Sequence, residues 1–236
     1  MANDNLAYLD TETINDNIQE MTEIIKKSEN SKISKFIKRM IDIIVSLVGI
    51  VCLIPLTIIV FLLNIFTKEK SNIFYTQERI GKNGKLFKMY KYRTMVEDAD
   101  KVLKDYIEKD EEFKKEYMLY KKVKNDPRIT KVGKFLRKTS LDEFPQFINI
   151  LKGEMSLVGP RPYLMREKTD MGDYYYYIIT LKPGLTGPWQ TSGRNNLTFM
   201  DRLELDLEYY KNNSLKNDIK YFIKTFEKLI KKEGAV

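Results

Sequence analysis

Histidine is absent from this sequence, and cysteine occurs once, at Cys52. Without an imidazole there is no histidine general base, no histidine-dependent triad and no histidine-ligated metal site. Cys52 lies inside an apolar run, where a thiolate is poorly stabilised, and a lone cysteine forms no intramolecular disulfide. Internal repeats and low-complexity tracts are also missing. Any catalysis therefore rests on carboxylates, hydroxyls, lysine, arginine, or a hard metal held by oxygen.

What is present sets the scale. The 236 residues suit one domain with a tail, and 43% hydrophobic content with 15 Tyr and 12 Phe argues against wholesale disorder. The formal charge of +8, from 41 basic and 33 acidic residues, points to an anionic partner: a nucleic acid, a phosphate-bearing substrate or an anionic membrane face.

The segment from Ile41 to Phe66 is the strongest physical signal, with only two strongly polar residues, Asp42 and Asn64. As a straight helix it is about 39 Å long at roughly 1.5 Å per residue, enough for a hydrocarbon core of about 30 Å. Pro55 sits near its midpoint, where it deletes a helical hydrogen bond. Both flanks are basic, from Lys26 to Arg39 before it and from Lys68 to Lys85 after it, so positive charge selects no orientation. A spanning helix kinked at Pro55 fits the length. A helix that breaks at Pro55 and returns to the face it entered also fits the charges.

Before this segment, residues 1 to about 30 are polar, lack the early apolar core of a signal peptide, and read as a variable extension. After it, Asn72 to Arg93 alternates apolar and polar residues around Gly81 to Gly84, which predicts a hairpin. Lys101 to Asn125 is densely charged, with Asp105/Lys109, Asp110/Lys114 and Glu111/Lys115 at helical spacing, and predicts an exposed helix without catalytic duty. Asp201 to Lys232 is helical again. There Ile219, Phe222, Ile223, Phe226, Leu229 and Ile230 form a stripe flanked by lysines, suited to a core or to an anionic membrane surface.

Between these lies the stretch Arg137 to Pro145. Ser140 followed by Glu143 has the spacing of a capping box, which by itself predicts a well-made helix start. The same placement puts Asp142 near a helix N-terminus, where the dipole favours an ionised carboxylate able to attack phosphorus or hold a metal. Glu143 beside it suits Mg²⁺, which prefers carboxylate and phosphate oxygens, and Arg137 is placed to neutralise phosphate charge. Basic residues also recur in the segments Lys88 to Met95, Gly159 to Pro162 and Ser192 to Asn195. A guanidinium fork matches phosphate, although a solvated surface charge is the commoner use of any one of them.

Taken in order, these segments resemble the bacterial sugar transferase family, the monotopic polyprenol-phosphate phosphoglycosyl transferases. The resemblance runs from about Lys35 to Lys231. It rests on Lys38 to Asp42, Gln77 to Gly81, Lys91 to Met95, Asn125 to Thr130, Thr139 to Gln146, Leu151 to Pro162, Lys182 to Gly187, Gln190 to Asn195, and Leu205-Asp206. Two departures stand out: Ile54 precedes the break proline where the family often has serine, and Gly187-Pro188-Trp189-Gln190 replaces the commoner Gly-Trp-Ala-Gln.

The resemblance implies an α+β fold: a mostly helical monotopic membrane protein with a re-entrant helix-break-helix anchor, a small β-hairpin or sheet, and surface amphipathic helices. It implies a variable extension over residues 1–34 and a transferase domain over 35–232, with a re-entrant helix at 36–66 broken at Pro55 and a cytoplasmic catalytic part at 67–232. Asp142 is the implied nucleophile on the β-phosphate of a UDP-sugar, with UMP leaving and a phosphosugar-enzyme intermediate remaining. Polyprenol (undecaprenyl) phosphate then takes the sugar-1-phosphate, as the first membrane step of capsule, exopolysaccharide or glycoconjugate synthesis. Glu143, with Asp142, is expected to hold Mg²⁺, and Lys91, Arg93, Arg137, Arg161 and Arg194 to bind phosphate or nucleotide. The implied partners are the UDP-sugar, the lipid phosphate and membrane lipid at the cytoplasmic face of the inner membrane, and no nucleic acid. The chain is expected to be the short form of the family, with a hexose favoured over an acetamido sugar and a homodimer left open. Two rivals use the same residues: a retaining glycosyl transferase, which releases UDP, and a membrane-bound basic protein that binds nucleic acid or anionic lipid.

Overall fold

The computed structural model describes residues 32–67, 72–121, 123, 125–193 and 197–231; of the extension expected over residues 1–34, residues 1–31 lie outside them and 32–34 begin the first helix. The whole apolar segment forms one helix, α1 (Lys32–Thr67), long and apolar enough to cross a membrane. Pro55 lies inside it, and the helical assignment runs through the proline, so the expected interruption is not a change of secondary structure. Hydroxyls reinforce the helix next to the missing backbone donor. Thr57 Oγ1 donates to the Leu53 carbonyl at 2.7 Å and lies 2.6 Å from the Tyr92 hydroxyl.

The buried positions of α1 are Asp42, Ser46, Gly49, Leu53 and Val60, spaced so that they fall on one stripe. That stripe faces the rest of the protein along most of the helix. Asp42 Oδ1 accepts from the Leu157 amide (2.9 Å) and the Ser156 hydroxyl (3.2 Å). At Gly49 any Cβ would collide with the Phe147 ring, so only glycine permits this approach. Leu53 and Val60 pack with Tyr92, Val132 and Leu136, each such apolar side chain contributing roughly 1.5–3 kcal/mol by leaving water. The opposite face exposes Ile44, Val48, Val51, Ile58 and Phe66.

The hairpin forms as its alternation predicts. β1 (Phe74–Ile80) and β2 (Leu86–Tyr92) pair antiparallel, from Phe74 opposite Tyr92 to Ile80 opposite Leu86. Asn83 (φ 57°) and Gly84 (φ 76°) take the left-handed conformations that the turn needs and these residues tolerate. Phe87 and Met89 point from one face of β2 into the main core with Ile150, Met155 and Leu157.

The charged segment departs from expectation. It is two helices, α2 (Ala99–Lys109) and α3 (Glu111–Tyr120), broken at Asp110. Asp110 accepts the Glu112 and Phe113 amides, both at 2.9 Å, and so caps α3, while Lys114 meets Glu111 at 3.1 Å. Capping satisfies two orphan backbone donors, which an exposed Asp110–Lys114 pair does not. Leu103, Phe113 and Val123 give the pair its own apolar cluster.

Next come α4 (Lys131–Thr139), α5 (Gln146–Lys152) and β3 (Ser156–Val158), which pairs parallel with β4 (Gly184–Thr186). α6 (Lys168–Met171) and α7 (Tyr174–Ile178) lie between those strands, and α8 (Pro188–Ser192) follows β4. The last helical stretch is divided into α9 (Phe199–Lys211) and α10 (Leu215–Lys231). Its stripe is divided too: Phe222 packs toward the core, whereas Ile219, Ile223 and Phe226 are exposed. The Leu229 and Ile230 side chains lie outside the described residues. The result is mostly helical with small sheets.

Candidate active site

The loop ahead of α4 is fixed by a buried pair: Arg128 donates to both Asp126 oxygens, at 2.8 and 2.6 Å. Thr130 then caps α4 by accepting the Gly133 amide at 2.9 Å. At the far end Ser140 takes a left-handed conformation (φ 57°), which stops the helix and turns the chain into a single 3₁₀ turn, Leu141–Glu143. The Ser140 side chain makes no capping hydrogen bond there. The capping box expected from its spacing is therefore not formed, because Ser140 closes one helix instead of opening the next.

That turn carries Asp142 and Glu143. Lys91, at the end of the row begun by Phe87 and Met89 on β2, places its Nζ 2.9 Å from Glu143 Oε1 and 3.9 Å from Asp142 Oδ2. Arg137, in the last turn of α4, donates from Nε to Thr94 Oγ1 at 3.0 Å. Asp142 is 8% exposed. Burial, helped by the like charge of Glu143, pushes its carboxyl up to about 6 against the pull of Lys91 and Arg137. Desolvation thus opposes the ionised form that the dipole was expected to favour; with its carboxyl at about 6, Asp142 is still largely the carboxylate at neutral pH. Arg137 is pulled down by burial, with Asp142 the foremost of the anions opposing that shift.

These residues line one cavity of about 790 Å³. Of the sequence candidates, Lys91, Arg93, Arg137, Asp142, Glu143 and Arg161 all border it. Arg93 is partly committed elsewhere, donating to the Asn72 carbonyl at 3.0 Å and lying 5.4 Å from the Tyr75 ring. Arg161 lies 5.5 Å from the Trp189 ring and donates to Glu167 at 3.4 Å. Arg194 is outside the described residues. Pro55 belongs to α1 and is not among the lining residues.

The cavity also has walls that sequence reasoning missed. Arg79, Trp189 and Arg202 form part of it, as do Tyr117 and Lys121 from the charged segment expected to have no part in the site. Val45 of α1 with Phe144, Phe147, Phe222 and Phe226 makes an apolar side. Arg79 stands in a quoted motif, but Arg202 looks like any other charge on a helix, and only packing reveals that it is 1% exposed.

Glu143 keeps its side chain one-third exposed, beside a buried carboxylate and two cations. Mg²⁺ is commonly held by one or two carboxylates plus substrate phosphates, and this donor set fits that pattern.

Comparison with known proteins follows the same outline. The model of a family described as bacterial sugar transferase matches residues 33–232. The chain is 44% identical over 202 residues to an undecaprenyl-phosphate galactose phosphotransferase of Salmonella typhimurium, covering 86% of this chain and 42% of that protein. It is 43% identical over 204 residues to a UDP-galactose-lipid carrier transferase of Erwinia amylovora, again covering 86% of this chain and 42% of the relative. The chain thus spans about two-fifths of the length of these curated relatives. An exopolysaccharide production protein, ExoY, of Sinorhizobium fredii matches at 39% identity over 84% of this chain and 87% of its own length.

Proposed function

The chain belongs to the bacterial sugar transferase family, and from that premise we propose that it is a phosphoglycosyl transferase acting at the cytoplasmic face of the inner membrane. It moves a sugar-1-phosphate from a UDP-sugar to undecaprenyl phosphate, the first membrane step of a surface glycan. The observation that carries this reading is the buried Asp142 beside Glu143, flanked by Lys91 and Arg137 in a cavity that also carries apolar side chains. Phosphoryl transfer needs positioned cations and a nucleophile, and a lipid acceptor needs an apolar approach.

In this scheme an Asp142 oxygen attacks the β-phosphorus, and the bond from that phosphorus to the bridging oxygen breaks. UMP leaves with that oxygen. An oxygen of the lipid phosphate then attacks the same phosphorus, and the bond to Asp142 breaks, restoring the carboxylate. Lys91 and Arg137 hold negative charge as it moves. Glu143 and Asp142 would hold Mg²⁺, which would supply charge neutralisation for the substrate diphosphate. Galactose and glucose in the names of the Salmonella relative and of a Klebsiella pneumoniae relative support a hexose as cargo.

A monotopic anchor is supported by where α1 touches the body. Arg39 donates to the Ile150 and Leu151 carbonyls at 2.6 and 2.7 Å, and Val60 packs on Leu136. In a straight helix these points are about 32 Å apart at 1.5 Å per residue. A helix that crossed the bilayer while keeping both contacts would draw the charged body into hydrocarbon, at high cost. A re-entrant or in-plane anchor avoids that cost and leaves the exposed apolar face for lipid.

The test is the nucleotide released when the membrane fraction meets UDP-sugars and polyprenol phosphate. UMP, appearing only with particular donors, is the expected product and identifies the sugar. UDP would replace this reading with a glycosyl transferase.

A further inference from the structure

One wall of the cavity holds N–H donors that nothing accepts. The Nε atoms of Arg79, Arg161 and Arg202 and the Nε1 of Trp189 are buried, and among the described residues none has a hydrogen-bond partner. All four residues line the cavity. Their other donors are used structurally: Arg79 Nη1 binds the Pro162 carbonyl at 2.9 Å, and Arg202 Nη2 the Leu197 carbonyl at 2.8 Å. The Arg161 and Arg202 guanidinium groups each lie 5.5 Å from the Trp189 ring, so the cations are gathered around one indole.

The wall is short of negative charge. Glu167 meets Arg161 at 3.4 Å. Asp206 turns Oδ2 to the Arg161 amide and the Tyr163 hydroxyl, at 2.9 and 2.8 Å, and its Oδ1 has no partner. Burial pushes Asp206 up to about 7, so it is only partly ionised near neutrality. Burial first, and then the neighbouring Arg161, pull Arg79 down to about 9 and Arg202 down to about 10. Three buried guanidinium groups with unpaired Nε donors and too little negative charge to balance them are costly, and an oxyanion answers both deficits together.

We propose that Arg79, Trp189 and Arg202, with Arg161, form a second phosphoryl-binding subsite, separate from the Lys91–Arg137 pair that flanks the dyad. Its chemistry is a phosphate group offering several oxygens to converging N–H donors. The assignment rests on the functional reading above for the source of that phosphate, since the nucleotide donor and the lipid acceptor both carry one.

Binding decides it without turnover. The full chain carrying Asp142→Asn, purified in detergent, is titrated calorimetrically with UMP, a short-chain prenyl phosphate and inorganic phosphate. Trp189→Phe keeps the ring and deletes one donor, and Arg79→Gln deletes one charge. Each should weaken binding of UMP or of the prenyl phosphate roughly 10-fold, the scale of one lost hydrogen bond to a charged group. Loss for UMP makes the nucleotide the source, and loss for the prenyl phosphate makes it the lipid. Affinities unchanged in Trp189→Phe, whose melting temperature checks its folding, would overturn the proposal, as would a loss confined to inorganic phosphate. A chain that releases UDP instead of UMP defeats the functional reading and leaves this titration valid.

Discussion

Lys91 and Tyr92 are neighbours in β2 that face opposite ways: Lys91 Nζ reaches Glu143 at 2.9 Å, and the Tyr92 hydroxyl meets Thr57 Oγ1 at 2.6 Å. Strand alternation thus lets one dipeptide hold the dyad on one side and the anchor helix on the other, two residues past Pro55. The position of the Asp142–Glu143 turn is tied to the apolar helix through a single peptide unit.

Tyr92→Phe should therefore lower stability by about 1 kcal/mol, the worth of one buried hydroxyl hydrogen bond. Tyr90→Phe, which loses a solvent-exposed bond from Lys152, should cost less. Melting temperatures of the two variants in the same detergent check the order, and equal losses would show that the Tyr92–Thr57 contact carries no weight.

Asp142→Asn should reduce transfer by roughly 10³-fold or more while leaving the protein folded and membrane-bound. Since burial already disfavours the charge of Asp142, the variant should melt at or above the temperature of the parent. Appreciable activity in the variant would remove Asp142 from the nucleophile role.

Activity should fall on acidification through about pH 6, because attack needs the carboxylate and the Asp142 carboxyl is held up there. The stability sign runs the other way. A carboxyl raised above its unfolded value of 3.8 favours the fold most when protonated, and that contribution is lost as pH rises toward 6. Lys91→Met removes the largest influence lowering this group, so the acidic limb of the rate profile should move to higher pH. A profile that stays in place would mean that Lys91 does not tune Asp142.

Chelation of divalent cations should stop turnover, and Mg²⁺ should restore it, if Glu143 and Asp142 share the metal with substrate phosphates. Glu143→Gln should raise the Mg²⁺ concentration needed for half-maximal rate. Rates indifferent to chelation would leave Glu143 as a partner of Lys91 only.

Single cysteines placed near Lys32 and near Thr67, in a Cys52→Ser background, should both react with an impermeant thiol reagent from the cytoplasmic side. Labelling from opposite sides would mean that α1 spans the bilayer.

Much of the fold was legible because its causes are local. An apolar run of this length has to leave water. Alternation around Gly81 to Gly84 has to make a hairpin, and the basic and carboxylate motifs already stood together in the chain from Arg137 to Glu143. Local rules failed where one residue could serve two neighbours. Ser140 has a capping-box spacing, yet it terminates α4; Asp110 has an ion-pair spacing, yet it caps α3. Sequence spacing gives the options, and backbone donors left without partners choose between them.

By itself, then, the sequence determined that this chain has one long apolar segment, has no imidazole, and carries an Asp142–Glu143 pair with basic residues suited to phosphate. Tertiary structure alone decided that Asp142 is buried with its carboxyl pushed up, that Lys91 lies between the two carboxylates, and that Arg161 and Arg202 converge on Trp189, with Arg79 near Arg161. The physical reason is that desolvation and like-charge crowding depend on which distant segments pack together. No spacing along the chain encodes the distance from Arg79 to Arg202, whereas hydropathy and residue type are properties each position carries alone.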